Sequence, residues 1–216
     1  MTASALRFAI AAAFSLALSP EQSAPAEGVR VVGMVTRPYV DKTRMNWSRT
    51  GPRPLRTAIW YPVDSATTRE TIFGGPVAEQ IFVPVEVAPA ATLSERSRKY
   101  PLVVMSHGTG GSAVMMMWLG IHLAANGYIV AAVNHHGNTS AEKEPAPQGF
   151  LLYWERAKDL KLVIDSVLRD PFFANRIDDR RIGAAGFSLG GLYRDRRRWR
   201  SVQSKHVRRI LRIRAA

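Results

Sequence analysis

Cysteine is absent from the sequence, and acidic residues are nearly absent from both ends of the chain. Without cysteine, the 216-residue chain forms no disulfide, offers no thiol nucleophile and provides no thiolate ligand to a metal. The apolar run over residues 8–18 is too short to cross a bilayer as a helix. These features exclude cysteine-dependent chemistry and disulfide-stabilised folds, and they predict a chain without a transmembrane segment.

Residues 1–26 have the pattern of an export signal. No acidic residue precedes Glu21, Arg7 gives a positive flank to the apolar run, and Pro20 ends that run. Residues 24–26, Ala-Pro-Ala, match a small-x-small cleavage site. A packed N-terminal helix is the alternative interpretation. The pattern predicts a secreted or periplasmic protein that loses this segment.

The net charge of +13 is concentrated at the C-terminal end of the chain. Residues 192–216 contain ten basic residues and one acidic residue, whereas the other 191 residues contain 20 basic and 16 acidic residues. With 46% hydrophobic residues overall, the chain can form one domain with a substantial core. Because the body carries an ordinary charge, we expect no specific nucleic-acid partner for it.

Two strand patterns precede a long irregular stretch. Residues 28–36 alternate weakly and residues 55–63 are rich in β-branched and aromatic side chains, so both are predicted to be strands. Residues 38–54 are predicted to be a hairpin loop. Residues 64–100 have poor periodicity and recurring Pro and Gly, which predicts an insertion with little regular structure.

Three continuous apolar runs follow, of the kind found in strands buried on both faces of a sheet. They cover residues 101–106, 128–133 and 181–187, and residues 112–126 and 154–169 between them have helical patterns. Alternation of strand and helix is typical of an α/β fold with a mostly parallel sheet and helices on both faces. We therefore predict that fold class.

Residues 186–191, Gly-Phe-Ser-Leu-Gly-Gly, have the form G-x-S-x-G directly after a predicted strand. In this pattern the strand turns sharply into a helix, and the serine lies at the apex in a strained conformation. The neighbouring backbone comes so close that the residues two before and two after the serine must be small, as Gly186 and Gly190 are. Ser188 is therefore the predicted catalytic nucleophile, exposed at the end of its strand.

A second glycine-rich turn, residues 107–111, follows an earlier predicted strand. Acyl transfer needs backbone donors for the negatively charged oxygen of the tetrahedral intermediate. We predict the N–H groups of Thr109 and Leu189 as these donors, with Gly108 and Gly110 shaping the loop. The two turns together predict a serine hydrolase that acts by acyl transfer on a small-molecule substrate, and we expect no cofactor or metal ion.

Three other features have less direct interpretations. His107 precedes the turn and is predicted to hold the loop by hydrogen bonds instead of taking part in catalysis. The pair His135 and His136 has no acidic residue at metal-ligand spacing, so we predict loop or substrate-pocket residues. Residues 115–117, all methionine, and Trp118 are predicted to form the core face of a helix.

Several motifs, in this order, resemble the dienelactone hydrolase-like group of α/β-hydrolases that includes platelet-activating-factor acetylhydrolases. They are Trp60-Tyr61-Pro62, residues 106–111, Asn134-His135, Trp154-Glu155-Arg156 followed by Asp159, and residues 183–191. The resemblance covers about residues 28–191. It implies Ser188 as nucleophile, Thr109 and Leu189 as oxyanion donors, and a metal-independent ester hydrolase of a group often exported in bacteria.

The chain departs from this group after the serine. In this fold the catalytic acid and histidine follow the nucleophile on loops after later strands. Downstream of Ser188 the sequence has one acid, Asp195, and one histidine, His206, neither in such a context. We therefore expect a truncated α/β-hydrolase fold over residues 27–191 that lacks its base and is inactive or nearly so.

Residues 192–216 have three interpretations. The first is a basic helix that binds nucleic acid or an anionic membrane, which would make the chain a binding protein. The second is a disordered charged segment, and the third is an out-of-frame translation. Deleting one G from a GC-rich encoding of residues 191–200 gives Gly-Tyr-Thr-Val-Ile-Ala-Ala-Ala-Gly, a plausible helix after an elbow. Our hypothesis is a frameshift near Gly191, which resequencing of the gene tests.

Overall fold

The structure is a computed structural model that describes residues 31–66, 68–72 and 85–194, without the side chains of 85 and 192–194. The predicted signal segment lies outside these residues, as do Asp195, His206 and nearly all of the basic tail. Within the described part, no helix is both long and apolar enough to cross a membrane.

Over the described residues the fold is a mixed seven-stranded sheet with helices on both faces, in the order β3-β4-β1-β2-β6-β5-β7. Its strands are β1 Val32–Met45, β2 Pro52–Pro62, β3 Glu70–Ile72, β4 Val85–Pro89, β5 Tyr100–Ser106, β6 Ile129–Val133 and β7 Ile177–Gly186. The α-helices are α1 Met117–Ala125, α2 Pro147–Leu151 and α3 Glu155–Arg169, and Val114–Met116 and Ser188–Arg194 form 3₁₀ helices. β6, β5 and β7 are parallel neighbours, as the alternation predicted, so their carboxyl ends meet at one edge.

The first two strands form an antiparallel hairpin that is longer than predicted. Its register runs from Val32 opposite Pro62 to Asp41 opposite Arg53, so most of the expected loop over residues 38–54 is strand. Proline disrupts a sheet only where a neighbouring strand needs the missing N–H as a hydrogen-bond donor. In the described residues, β4 pairs with β1 only as far as Met34. The later part of β1, including Pro38, has no strand partner on that side among the described residues and therefore tolerates proline.

The stretch over residues 64–100 is more regular than predicted. It contributes β3 and β4, which pair with each other and extend the sheet beyond β1. Both strands are short, three and five residues, and the stretch between them lies outside the described residues. Short edge strands carry little periodicity, which explains why the sequence pattern missed them.

Two core clusters lie on opposite faces of the sheet, as the fold class predicts. One contains Leu160, Val163, Ile164 and Val167 of α3 with alternate residues of the central strands, and the other contains Met117, Leu123 and Ala124 of α1. Of residues 115–118, which we predicted to form the core face of a helix, only the middle two lie in the core. Met116 and Met117 are buried, whereas Met115 and Trp118 are 39% and 62% exposed, because a 3₁₀ turn precedes α1 and rotates them outward.

Candidate active site

Ser188 has the strained conformation that the elbow pattern predicts. β7 ends at Gly186 and a 3₁₀ helix begins at Ser188, whose φ is +51°. A positive φ is uncommon for a residue with a side chain and is maintained only when the surroundings impose it. Ser188 and the preceding Phe187 are both exposed, so the hydroxyl is presented to solvent at the carboxyl edge of the sheet.

The two flanking glycines are required by close backbone contacts. A Cβ atom added to Gly190 would overlap the carbonyl oxygen of Ser106, and one added to Gly186 would overlap the carbonyl oxygen of Gly190. Both clashes involve backbone atoms, which cannot rotate out of the way as a side chain can. The small-residue requirement predicted for these two positions is therefore a geometric fact of this turn.

The glycine-rich loop over residues 107–111 lies directly beside the elbow. A Cβ atom added to Gly108 would lie 3.3 Å from the Cβ of Ser188, and the N–H of Phe187 donates to the carbonyl of Ser106 at 3.2 Å. Gly110 has a φ of +65°, and its N–H donates to the side-chain oxygen of the buried Asn138 at 2.6 Å. The structure thus brings the loop of Thr109 to the turn that contains Ser188 and Leu189.

No general base accompanies Ser188 in the part of the chain that the structure describes. Of its four histidines, His107, His135 and His136 make side-chain hydrogen bonds to other groups, and His122 lies on the exposed surface of α1. None of the hydrogen bonds or ion pairs within these residues involves the Ser188 side chain. The serine and the candidate oxyanion donors come together here without a proton acceptor.

A serine, a histidine and an aspartate nevertheless form a hydrogen-bonded row in the core. The Oγ of Ser106 lies 2.9 Å from Nε2 of His135, and Nδ1 of His135 lies 3.0 Å from Oδ2 of Asp159. All three side chains are at most 1% exposed, so no substrate reaches this row. His135 therefore lies in the loop after β6, one of the two positions that we predicted, but its side chain is buried and lines no accessible pocket.

Asp159 is the centre of this buried network. Its carboxylate accepts hydrogen bonds from Arg53 at 2.9 and 3.0 Å and from Arg44 at 2.6 Å, both of the first hairpin. Burial alone would raise the pKa of Asp159, but its hydrogen bonds with His135 and Arg53 outweigh burial and hold the pKa below its usual value. The network ties the hairpin to α3 and to the end of β6.

His136 belongs to a separate cluster at the surface, as its predicted loop position implies. Its Nε2 accepts from the N–H of Trp47 at 3.2 Å, and its Nδ1 lies 2.8 Å from Glu142. Glu142 also accepts from the N–H of Gly137 at 2.8 Å. These bonds close the loop after β6 against the hairpin turn, and they contribute nothing to Ser188.

The two buried histidines, His107 and His135, should make the folded protein less stable in acid. Burial lowers the pKa of His135 to about 4 and that of His107 to about 2, from 6.5, so below pH 6.5 they take up protons first in the unfolded chain. Stability rises with pH wherever the unfolded state binds more protons, so the free energy of unfolding should fall from pH 6.5 to 4. The slope is about 1.4 kcal/mol per pH unit for each such proton.

Urea unfolding at a series of pH values measures this slope. Replacing His122 by glutamine is the control and should leave the slope unchanged, because that side chain is exposed in the folded protein. A free energy of unfolding that stays constant between pH 6.5 and 5 would contradict the prediction.

Sequence reasoning missed Arg156 and Asp159 as parts of the site. Both are fully buried on the apolar face of α3, next to Leu160 and Val163. Charged residues three positions apart on a face that is otherwise apolar are a detectable signal, since a buried charge needs a partner. The sequence does not show which residues are the partners of Asp159, because Arg53 and His135 come from distant segments.

Part of the chain is similar in sequence to platelet-activating factor acetylhydrolases. A profile of the family described as platelet-activating factor acetylhydrolase, isoform II, matches residues 72–145. The platelet-activating factor acetylhydrolase of Cavia porcellus is 34% identical over 92 residues, which cover 39% of this chain and 21% of that protein.

Longer similarities are found to a cutinase and to an esterase structure. Cutinase cut1 of Thermobifida fusca is 27% identical over 194 residues, covering 87% of this chain and 49% of the cutinase. The structure of a ferulic acid esterase from Streptomyces cinnamoneus matches with a TM-score of 0.63 and 28% identity, over 81% of this chain and 58% of that one. The chain spans about half the length or less of these curated relatives. The sheet, the elbow and these similarities give the chain an α/β-hydrolase fold that is similar to that of an esterase.

Proposed function

We propose that the chain belongs to a serine ester hydrolase in which Ser188 is the nucleophile. The observation that carries the proposal is the exposed Ser188 at positive φ between two glycines that nothing larger can replace. Such a turn strains the backbone, and strain of this kind is maintained where it serves a function. The relatives, which are named as esterases and cutinases, support an ester as the substrate.

The proposed chemistry is acyl transfer through a covalent intermediate. The Oγ of Ser188 attacks the ester carbonyl, the alcohol leaves, and water then releases the acid from the acyl-enzyme. The N–H groups of Thr109 and Leu189 are the proposed donors to the oxyanion, and the closeness of Gly108 to Ser188 supports this role. Attack needs a base that removes the hydroxyl proton, and the described residues provide none at Ser188. We therefore expect no more than residual turnover from this chain.

Ser106 is a second candidate nucleophile because it already has a histidine and an aspartate in hydrogen-bonded sequence. Its burial argues against it, since a nucleophile must meet the substrate carbonyl. Ser106 is 1% exposed, whereas Ser188 is exposed. Ser106 is therefore hydrogen-bonded to a base but inaccessible to substrate, whereas Ser188 is accessible to substrate but has no base among the described residues.

The experiment compares Ser188→Ala and Ser106→Ala with the original chain. Each protein is treated with a fluorophosphonate and with p-nitrophenyl acetate, and the labelled peptide is identified by mass spectrometry. We expect a label on Ser188, lost in Ser188→Ala together with any residual hydrolysis and retained in Ser106→Ala. A label that survives in Ser188→Ala would exclude Ser188 as nucleophile. Ser188-dependent turnover at ordinary enzymatic rates would instead contradict the proposal that the chain lacks a base for Ser188.

A further inference from the structure

The carbonyl oxygen of Gly108 is held by three donors, two from its own loop and one from α3. Nδ1 of His107 lies 2.7 Å from it, the N–H of Gly111 donates to it at 3.2 Å, and Nη2 of Arg156 lies 3.5 Å away. A carbonyl of an exposed surface loop usually has water as its partner instead. This concentration of donors fixes the direction in which the Gly108 carbonyl points.

His107 can donate to this carbonyl in only one tautomer, and the structure selects it. The backbone N–H of His135 donates to Nε2 of His107 at 3.2 Å, so Nε2 carries a lone pair and the proton lies on Nδ1. Burial lowers the pKa of His107 to about 2, which keeps the ring neutral at any ordinary pH. The donor to Gly108 is therefore permanent.

Arg156 fixes the preceding peptide as well. Its Nη1 donates to the carbonyl of His107 at 2.6 Å, and Nη2 lies 3.5 Å from the carbonyls of Gly108 and Asn138. The guanidinium is 1% exposed and comes from the first turn of α3. A rigid planar fork from a packed helix thus holds two successive carbonyls of the loop.

We propose that His107 and Arg156 are positioning residues that keep the N–H of Thr109 directed toward the oxyanion of a Ser188 adduct. In a planar trans peptide the C=O and the N–H point in opposite directions, and no described peptide bond is cis. Anchoring the Gly108 carbonyl toward the core therefore directs the Thr109 N–H outward, on the side where Gly108 meets Ser188. This proposal rests on the proposed function, since it assumes that Thr109 is an oxyanion donor.

Matched substitutions separate the hydrogen bonds from packing. His107→Leu removes the donor at the Nδ1 position, whereas His107→Asn has nearly the same size and can place an amide N–H there. Arg156→Met retains the length of the side chain without its donors, and Arg156→Lys retains one charged donor. If His107 and Arg156 only stabilised the fold, the two variants at each position would lower the stability by the same amount.

The first readout is the orientation of the peptide, which does not depend on activity. Crystal structures of the full chain with His107→Leu and Arg156→Met combined should contain a rotated or mixed Gly108–Thr109 peptide, whereas His107→Asn should retain the original one. The His107→Leu single variant serves if the double variant does not fold. An unchanged peptide in the leucine variants would overturn the proposal, whatever Ser188 does.

The second readout is Ser188-dependent hydrolysis of p-nitrophenyl acetate. Loss of one oxyanion donor lowers kcat by roughly 100- to 1,000-fold in a serine hydrolase. Because the Gly111 bond remains, we expect His107→Leu to lower kcat by about 10- to 100-fold with KM within about twofold, and His107→Asn to restore most of it. Equal kcat in the leucine and asparagine variants would overturn the proposal, whereas hydrolysis that is independent of Ser188 would contradict only the proposed function.

Discussion

Gly190→Ala is expected to lower the free energy of unfolding by about 3 kcal/mol and to abolish any reactivity of Ser188. The added methyl group would overlap the carbonyl oxygen of Ser106, a backbone atom at the end of the buried strand β5. Relief of this clash requires the elbow to move away from β5. That movement would separate Ser188 from the loop of Thr109, so stability and reactivity should be lost together.

Gly51→Ala is the control for this prediction. It makes the same chemical change in the hairpin turn, where an added Cβ would have no atom within 4 Å and φ is not in the left-handed region. We expect a change within about 0.5 kcal/mol in urea unfolding and unchanged fluorophosphonate labelling. If Gly190→Ala unfolded at the same urea concentration as Gly51→Ala, the close contact at the elbow would not exist in the protein.

Asp159→Asn is expected to lower the free energy of unfolding by about 3–5 kcal/mol, because it removes the negative charge from a buried network. Arg53, Arg44 and His135 all donate to the two carboxylate oxygens. An asparagine keeps one oxygen but presents an N–H₂ group to donors on the other side. The arginine charge at 2% exposure would remain in the core without its counter-charge.

Asp165→Asn provides the matched control, with the same substitution on the same helix. Asp165 pairs with Lys161 at 2.7 Å, but those side chains are 25% and 43% exposed, so water screens the pair. Exposed pairs of this kind contribute about 0–1 kcal/mol. Urea unfolding of the two variants should therefore differ by several kcal/mol, and equal losses would mean that the network around Asp159 is not buried.

The elbow was predictable because every constraint on it is local. A strand, a serine and two glycines within residues 181–191 suffice to specify the turn, and the structure places them with the φ of +51° that the pattern requires. The glycine-rich loop was predictable for the same reason. Both turns follow apolar strands whose burial is evident from composition alone.

The buried Ser106–His135–Asp159 row was not predictable, although each of its residues belonged to a quoted motif. The members come from β5, the end of β6 and α3, and only the parallel order of these strands brings them together. Sequence spacing gives no measure of such distances. We predicted a loop or substrate-pocket position for His135: it lies in the loop after β6, and only the structure shows that its side chain turns into the core.

The sequence by itself determined the fold class, the strand–turn–helix that carries Ser188 and the glycines that flank it, since backbone sterics act between residues close in the chain. Only the tertiary structure decided that the two glycine-rich turns touch, that Asp159 gathers two arginines and a histidine, and that His107 and Arg156 hold the Gly108 carbonyl. Apart from the adjacent His107 and Gly108, those contacts join residues 24 to 115 positions apart. Their geometry depends on sheet order and packing, which no local pattern encodes.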